Sequence, residues 1–173
     1  RLQNATLGVK LFLSTDELEA KGIAEELNQI NQERQQVEKA IAEEAREQVR
    51  NLPELPSGLV LHSPDWHPGV VGIVASRIAR EFWRPTLLLC GDGEEIKGSG
   101  RSLPALDLHG VLSSSKEWLT KFGGHRQAAG LALKEEDLQT FREKFQTIIS
   151  ERLLENDLVP SREADGVIQL GEI

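Results

Sequence analysis

The chain has 173 residues, of which 39% are hydrophobic, and its 20 basic and 28 acidic side chains leave a net charge of −8 at neutral pH. That length suits one packed domain of ordinary size plus an appendage. No apolar run approaches the roughly eighteen residues a membrane-spanning helix needs. The single cysteine, Cys90, excludes an internal disulfide framework.

In chain order, residues 14–50 predict a long amphipathic connector helix. Ser14 with Glu17 suggests a capping box, and Leu18, Ile23, Leu27, Ile30, Val37, Ile41 and Val49 recur at three- and four-residue steps. Such a helix is too long for a domain of this size to cover, so it is expected to pack along only part of its length. Asn51 to Gly58 breaks it. Leu59–His62 reads as a short buried strand. The turn Ser63-Pro64-Asp65-Trp66-His67-Pro68-Gly69 leads into a helix over about 68–83, with Val71, Val74, Ile78 and Phe82 on its apolar side.

Residues 85–90 predict a second apolar strand, with Cys90 as a small core residue. Gly91-Asp92-Gly93 turns the chain, and 94–102 is expected to pair back as a strand. A helix over 106–118, a glycine turn at Gly123-Gly124, a strand over 129–133 and a helix over 135–154 complete the pattern. This is an α/β (α+β) arrangement: a mixed sheet flanked by helices and preceded by a long connector helix. The divisions expected are 1–50 for the connector, 51–155 for the main domain and 156–173 for the start of a following module. In that tail, Asp165 to Leu170 alternates like one strand.

Charge is unevenly spread. Only 97–126 is basic: Lys97, Arg101, Lys116, Lys121 and Arg126 stand against Asp107 and Glu117, with His109 and His125 in addition. A local potential of this sign attracts anions in spite of the net charge, although a chance fluctuation gives the same count. Within that window lies Gly123-Gly124-His125-Arg126-Gln127-Ala128-Ala129-Gly130. Glycines admit close backbone approach, and His125 and Arg126 add donors, so the segment reads either as a phosphate grip or as a tight structural turn. Lys97-Gly98-Ser99-Gly100-Arg101-Ser102 is a second cluster of glycines, hydroxyls and a guanidinium fork suited to phosphate oxygens. Neither matches a P-loop or a dinucleotide-binding loop. Asp65 with His67, and Asp107 with His109, lack a third metal ligand nearby and read as turn or cap residues. No metal site and no complete catalytic constellation is expected within the chain.

The ordered motifs Trp66-His67-Pro68-Gly69-Val70-Val71-Gly72-Ile73-Val74-Ala75-Ser76-Arg77, Gly98-Ser99-Gly100-Arg101-Ser102 and Gly123 to Gly130 resemble the DHH-associated domain of the RecJ single-stranded-DNA-specific exonucleases. Asn28 to Gln35 is similar to the helix joining that family's two lobes, and the tail to the lead into its oligonucleotide-binding barrel. The resemblance implies the substrate-binding lobe of a metal-dependent 5′-to-3′ exonuclease of DNA repair and recombination. Its manganese or magnesium ions would be held by a DHH lobe whose aspartates and histidines are absent here. It implies that Gly123, Gly124 and His125 contact the strand and that Ser99, Arg101 and Ser102 bind backbone phosphate, with Arg126 beside them. Arg77 would face either the cleft or the other lobe. The related phosphodiesterases for short oligonucleotides and cyclic dinucleotides are the alternative, but they carry a third glycine where Phe122 stands.

Single-stranded DNA and the missing DHH lobe are therefore the expected partners, with the exposed stripe of the connector helix offering an adventitious dimer contact. The start at Arg1 and the lack of methionine suggest a piece of a longer protein, and the single free cysteine suits a reducing cytoplasm.

Overall fold

The computed structural model describes residues 5–160. A short helix, α1 (Thr6–Leu13), precedes the 34-residue helix α2 (Glu17–Arg50). The start of α2 differs from the expected capping box at Ser14. Asp16 takes the N-cap, its Oδ1 accepting from the amides of Leu18 (2.8 Å) and Glu19 (3.0 Å). One carboxylate thus satisfies two orphan donors at the positive end of the helix, which a serine hydroxyl cannot match. Ser14 donates instead to the Glu19 carboxylate. The C-terminal part of α2 buries Ile41, Ala42, Ala45 and Val49, whereas Leu18 near its start is 82% exposed. The helix packs along part of its length, as its size required.

The remaining elements are β1 (Leu59–Ser63), α3 (Val71–Phe82), β2 (Thr86–Cys90), β3 (Ile96–Arg101), α4 (Leu108–Ser114), β4 (Lys121–Gly124), β5 (Ala128–Leu133) and α5 (Leu138–Arg152). The strands form one mixed sheet in the order β1-β2-β3-β5-β4. β1 and β2 run parallel and the other neighbours antiparallel. Side chains alternate between the two faces. Leu59, Leu61, Leu88 and Cys90 join Val71, Val74, Ala75 and Ile78 of α3 and the buried end of α2. Val60, Leu87, Leu89, Ile96, Leu131 and Leu133 join Leu108 and Leu112 of α4 and Phe141, Phe145 and Ile149 of α5. β2 is covered on both faces, which is why its sequence is apolar without interruption.

Three expectations shift in register. Pro68 is not the first residue of α3. His67 closes a turn first, its carbonyl accepting from Val70 and Val71, and the helix starts at Val71. The helix expected over 106–118 ends at Ser114, and Lys116–Trp118 continues as a 3₁₀ turn. Gly123-Gly124 is not the turn itself. Both glycines lie in β4, and the turn is His125 to Gln127.

At the far end, Arg84 donates to the carbonyls of Pro56, Trp83 and Leu158, and Trp83 Nε1 donates to Asp157. These bonds hold the 3₁₀ turn Glu155–Leu158 against the corner between α3 and β2, and burial pushes the Arg84 guanidinium pKa down. The strand expected at 165–170, with most of the module expected from 156 onward, lies outside the described residues. Among the described residues no helix is long and apolar enough to cross a membrane.

Candidate nucleic-acid interface

α3 covers one face of the sheet over β2 and β3, α2 packs beside β1, and α3 stops short of β5 and β4. On the uncovered part of that face, strand register builds a floor from small residues. Ser99, Gly130 and Gly123 are cross-strand neighbours in one row. Arg101 and Ala128 form the row beside it, and Lys97, Ala132 and Lys121 the row on the other side. Directly paired residues share a face, so the alternation that sends Ile96 and Leu131 into the core sends these to the other face, where Lys97, Lys121, Gly123 and Gly130 are exposed and Ala132 is buried. His125 follows β4 directly, at the Arg101 end.

The glycines of this region serve different ends. Gly98 and Gly100 point to the opposite face, where a side chain would overlap Leu89 and Leu87. They are core glycines in mid-strand and face away from the Ser99 and Arg101 side chains with which the sequence groups them. Gly124 has φ +144°, and a Cβ there would overlap the Ala128 carbonyl, so only glycine fits the backbone. Gly123 has no such constraint and nothing within 4 Å of its missing side chain. Its only structural consequence is an open floor.

The wall beside this floor is the first turn of α3. A side chain at Gly72 would lie 3.4 Å from Ser99 Oγ and 3.5 Å from Arg101 Nη2. Glycine at that position thus brings the positive end of the helix beside both groups. Arg101 is half-buried, and its Nη1 donates to the Gly100 carbonyl at 2.7 Å. It makes no ion pair among the described residues. A partly desolvated guanidinium with most of its donors unused is electrostatically incomplete without an anion.

The other expected residues divide. Ser99 shares the face with Arg101. Ser102 lies past the strand end, its hydroxyl donating to the Leu106 carbonyl (3.2 Å) and its amide to Gln127 (3.0 Å). That holds the loop in place but occupies the proton that would reach a phosphate. His125 and Arg126 are exposed in the turn, which is anchored by His125 N–H to Ala128 O and by Leu108 N–H to Arg126 O, both 2.8 Å. Arg77 is 45% exposed and engaged by α2. It pairs with Glu38 of α2 at 2.5 Å, and Arg34 binds the other oxygen at 2.6 Å. Lys97, the first residue of the second glycine cluster, belongs to the floor, as does Lys121, which the sequence marks only by its charge. The Lys97 charge is offset by Glu95, 3.3 Å away, whose carboxyl is held below its ordinary range by that lysine and by the Thr120 hydroxyl. Positive potential is therefore strongest at the Arg101 end.

His67 accepts the Gly69 amide, and Asp107 caps α4 by accepting from Gly110, which are the turn and cap roles expected of them. Among the described residues no group of three or more His, Cys, Asp or Glu side chains is placed to hold a metal ion.

The match to known proteins falls on the same elements. The DHHA1 domain family model matches residues 56–151, from just before β1 through α5. The single-stranded-DNA-specific exonuclease RecJ of Bacillus subtilis (strain 168) is 38% identical over 175 residues, covering 100% of this chain and 22% of that protein. That of Haemophilus influenzae is 38% identical over 181 residues, covering 99% of this chain and 32% of that protein. The crystal structure of RecJ from Thermus thermophilus in complex with Mg²⁺ matches with a TM-score of 0.77 at 32% identity, over 85% of this chain and 23% of its own. Exonuclease RecJ bound to manganese matches with a TM-score of 0.74 at 33% identity, over 85% of this chain and 36% of its own. The chain thus spans about a fifth to a third of the length of these relatives. On the family match and the shared fold, it belongs to the DHHA1 domain family, in the form carried by the RecJ exonucleases.

Proposed function

We propose that the chain is the substrate-binding lobe of a metal-dependent 5′-to-3′ single-stranded DNA exonuclease of DNA repair and recombination, working in the cytoplasm. The observation that carries this reading is the open floor of Gly123, Gly130 and Ala128 beside a half-buried Arg101 that makes no ion pair among the described residues. A strand laid on this floor brings its phosphates beside Ser99, Arg101 and the first turn of α3. His125 and Arg126 donate from the exposed turn, and Gly123 and Gly124 keep the backbone accessible. Ser102 supports the loop that follows Arg101. The described residues offer no ligand set for the Mg²⁺ or manganese of the related structures, so bond cleavage falls to a DHH lobe of the same polypeptide. This lobe holds and orients the strand.

The test is made in the intact enzyme. Arg101→Ala and His125→Ala should each lower turnover on single-stranded DNA, on the order of 10²-fold for Arg101, with circular dichroism unchanged. Near-normal rates in both variants would sink the assignment. Cleavage of dinucleotides in preference to long strands would favour the small-phosphodiesterase reading instead.

A further inference from the structure

β4 is the last strand of the sheet, so a ligand on the floor can pass around it to the opposite face without meeting another strand. On that face Phe122, the β4 residue between Lys121 and Gly123, packs half-buried against the core beside α4 and α5. The exposed imidazole of His109 stands against it, with ring centroids 5.7 Å apart and planes at 47°. The Leu108 amide donates to the Arg126 carbonyl (2.8 Å), which sets His109 beside the turn that carries His125 and Arg126. Half-buried Trp118 ends the 3₁₀ turn that leads toward β4, and the Lys144 ammonium lies 5.9 Å from its ring centroid. These three rings take no part in the floor. Of the two acids in 97–126, Asp107 is engaged as the cap of α4.

We propose that single-stranded DNA held on the floor continues around this turn and stacks its bases on His109 with Phe122, and then on Trp118. The inference rests on the phosphate-grip reading of the floor and adds a base-stacking stretch on the opposite face of the sheet. Surfaces that bind single strands without sequence preference combine cations that follow the backbone with aromatic rings that take successive bases. The cations here are Arg126 in the turn, Lys116 on the same 3₁₀ turn as Trp118, and Lys144 at its ring. Contact with Phe122 restricts the His109 imidazole before a base arrives, which lowers the ordering cost of stacking. Every base has a π-face, so this stretch should not discriminate among bases. A strand too short to leave the floor gains nothing from it.

The experiment is a ¹⁵N NMR titration of the 173-residue chain with oligothymidylates of about four and about sixteen nucleotides, the range of site sizes on small single-strand-binding folds. Both strands should shift Ser99, Arg101 and His125. Only the longer should also shift His109, Phe122 and the Trp118 indole. His109→Ala should weaken the longer strand about five-fold and leave the shorter one as it was. His109→Phe should keep the parent affinity and His109→Lys should not, because the ring and not the charge does the stacking. Rescue by lysine in place of phenylalanine would overturn the assignment. So would an equal loss on both lengths, the mark of a merely structural histidine. Shifts from the longer strand that stop at His125, with His109→Ala unchanged, would overturn the second stretch and leave the grip standing. Shifts at His109 and Trp118 with none around Arg101 would remove the grip and the continuity with it. No shift from either strand would remove both.

Discussion

Gly123 and Gly124 are neighbours in β4 with unrelated reasons for lacking a side chain. At Gly124 the backbone demands it, and Gly124→Ala should cost about 2–4 kcal/mol in urea unfolding, from strain plus overlap with the Ala128 carbonyl. Gly123→Ala should stay within about 1 kcal/mol of the parent, because its Cβ meets open space. That variant should nevertheless weaken single-stranded DNA binding by raising the floor. If Gly123→Ala unfolded as readily as Gly124→Ala, the floor would be a structural feature and not a binding one. The doublet was legible as a place where backbone comes close to something, but not which glycine did what. That distinction rests on one positive φ and on the empty space beside the other residue.

Among the elements, β3 shows what alternation decides. Read as a string, Lys97 to Ser102 is one undivided cluster of glycines and donors on an expected strand. Paired between β2 and β5, it splits into a core face of Gly98 and Gly100 and an outer face of Lys97, Ser99 and Arg101. Gly98→Ala should destabilise by about 2–3 kcal/mol, since the new methyl group overlaps the Leu89 side chain and the Leu88 carbonyl. β2 and α5 were readable because their apolar patterns are long and regular. β4 was not, because four residues with two glycines have little intrinsic strand preference and pair only because β5 is there. The contact between α2 and α3 was equally hidden. Glu38 looked like one of many polar residues on a solvated helix face, yet its side chain is only 8% exposed between Arg34 and Arg77. Glu38→Ala should cost about 1–2 kcal/mol, less than a fully buried pair because Arg77 remains partly in water.

For the molecule as a whole, the net charge of −8 and the basic region around Arg101 make opposite predictions about DNA. Local potential and counterion release should win. Affinity for single-stranded DNA should fall with rising salt, with a log–log slope that becomes shallower by about one in Arg101→Ala. A slope near zero would count against a phosphate grip. Cys90 reports on the core in the same experiments. Burial pushes its thiol above the ordinary 9.0, so it should resist thiol reagents until the protein unfolds. Above about pH 9 the unfolded chain loses this proton while the folded chain keeps it. This group therefore lowers stability as pH rises, which urea midpoints at about pH 8 and about pH 10 would show.

Composition and periodicity by themselves determined the class of fold, the order of most elements and the concentration of cations in 97–126, because these follow from local pattern and counting. Motif order pointed to the RecJ-type DHHA1 lobe. Only the tertiary structure decided which of the clustered residues share a surface. Strand register sets side chains two residues apart on one face and neighbours on opposite faces. The same pairing that brings Ser99, Gly130 and Gly123 into one row turns Gly98 and Gly100 into the core. Helix packing drew Arg77 to Glu38 and left Arg101 with no ion pair among the described residues, a difference between two arginines that no linear pattern records.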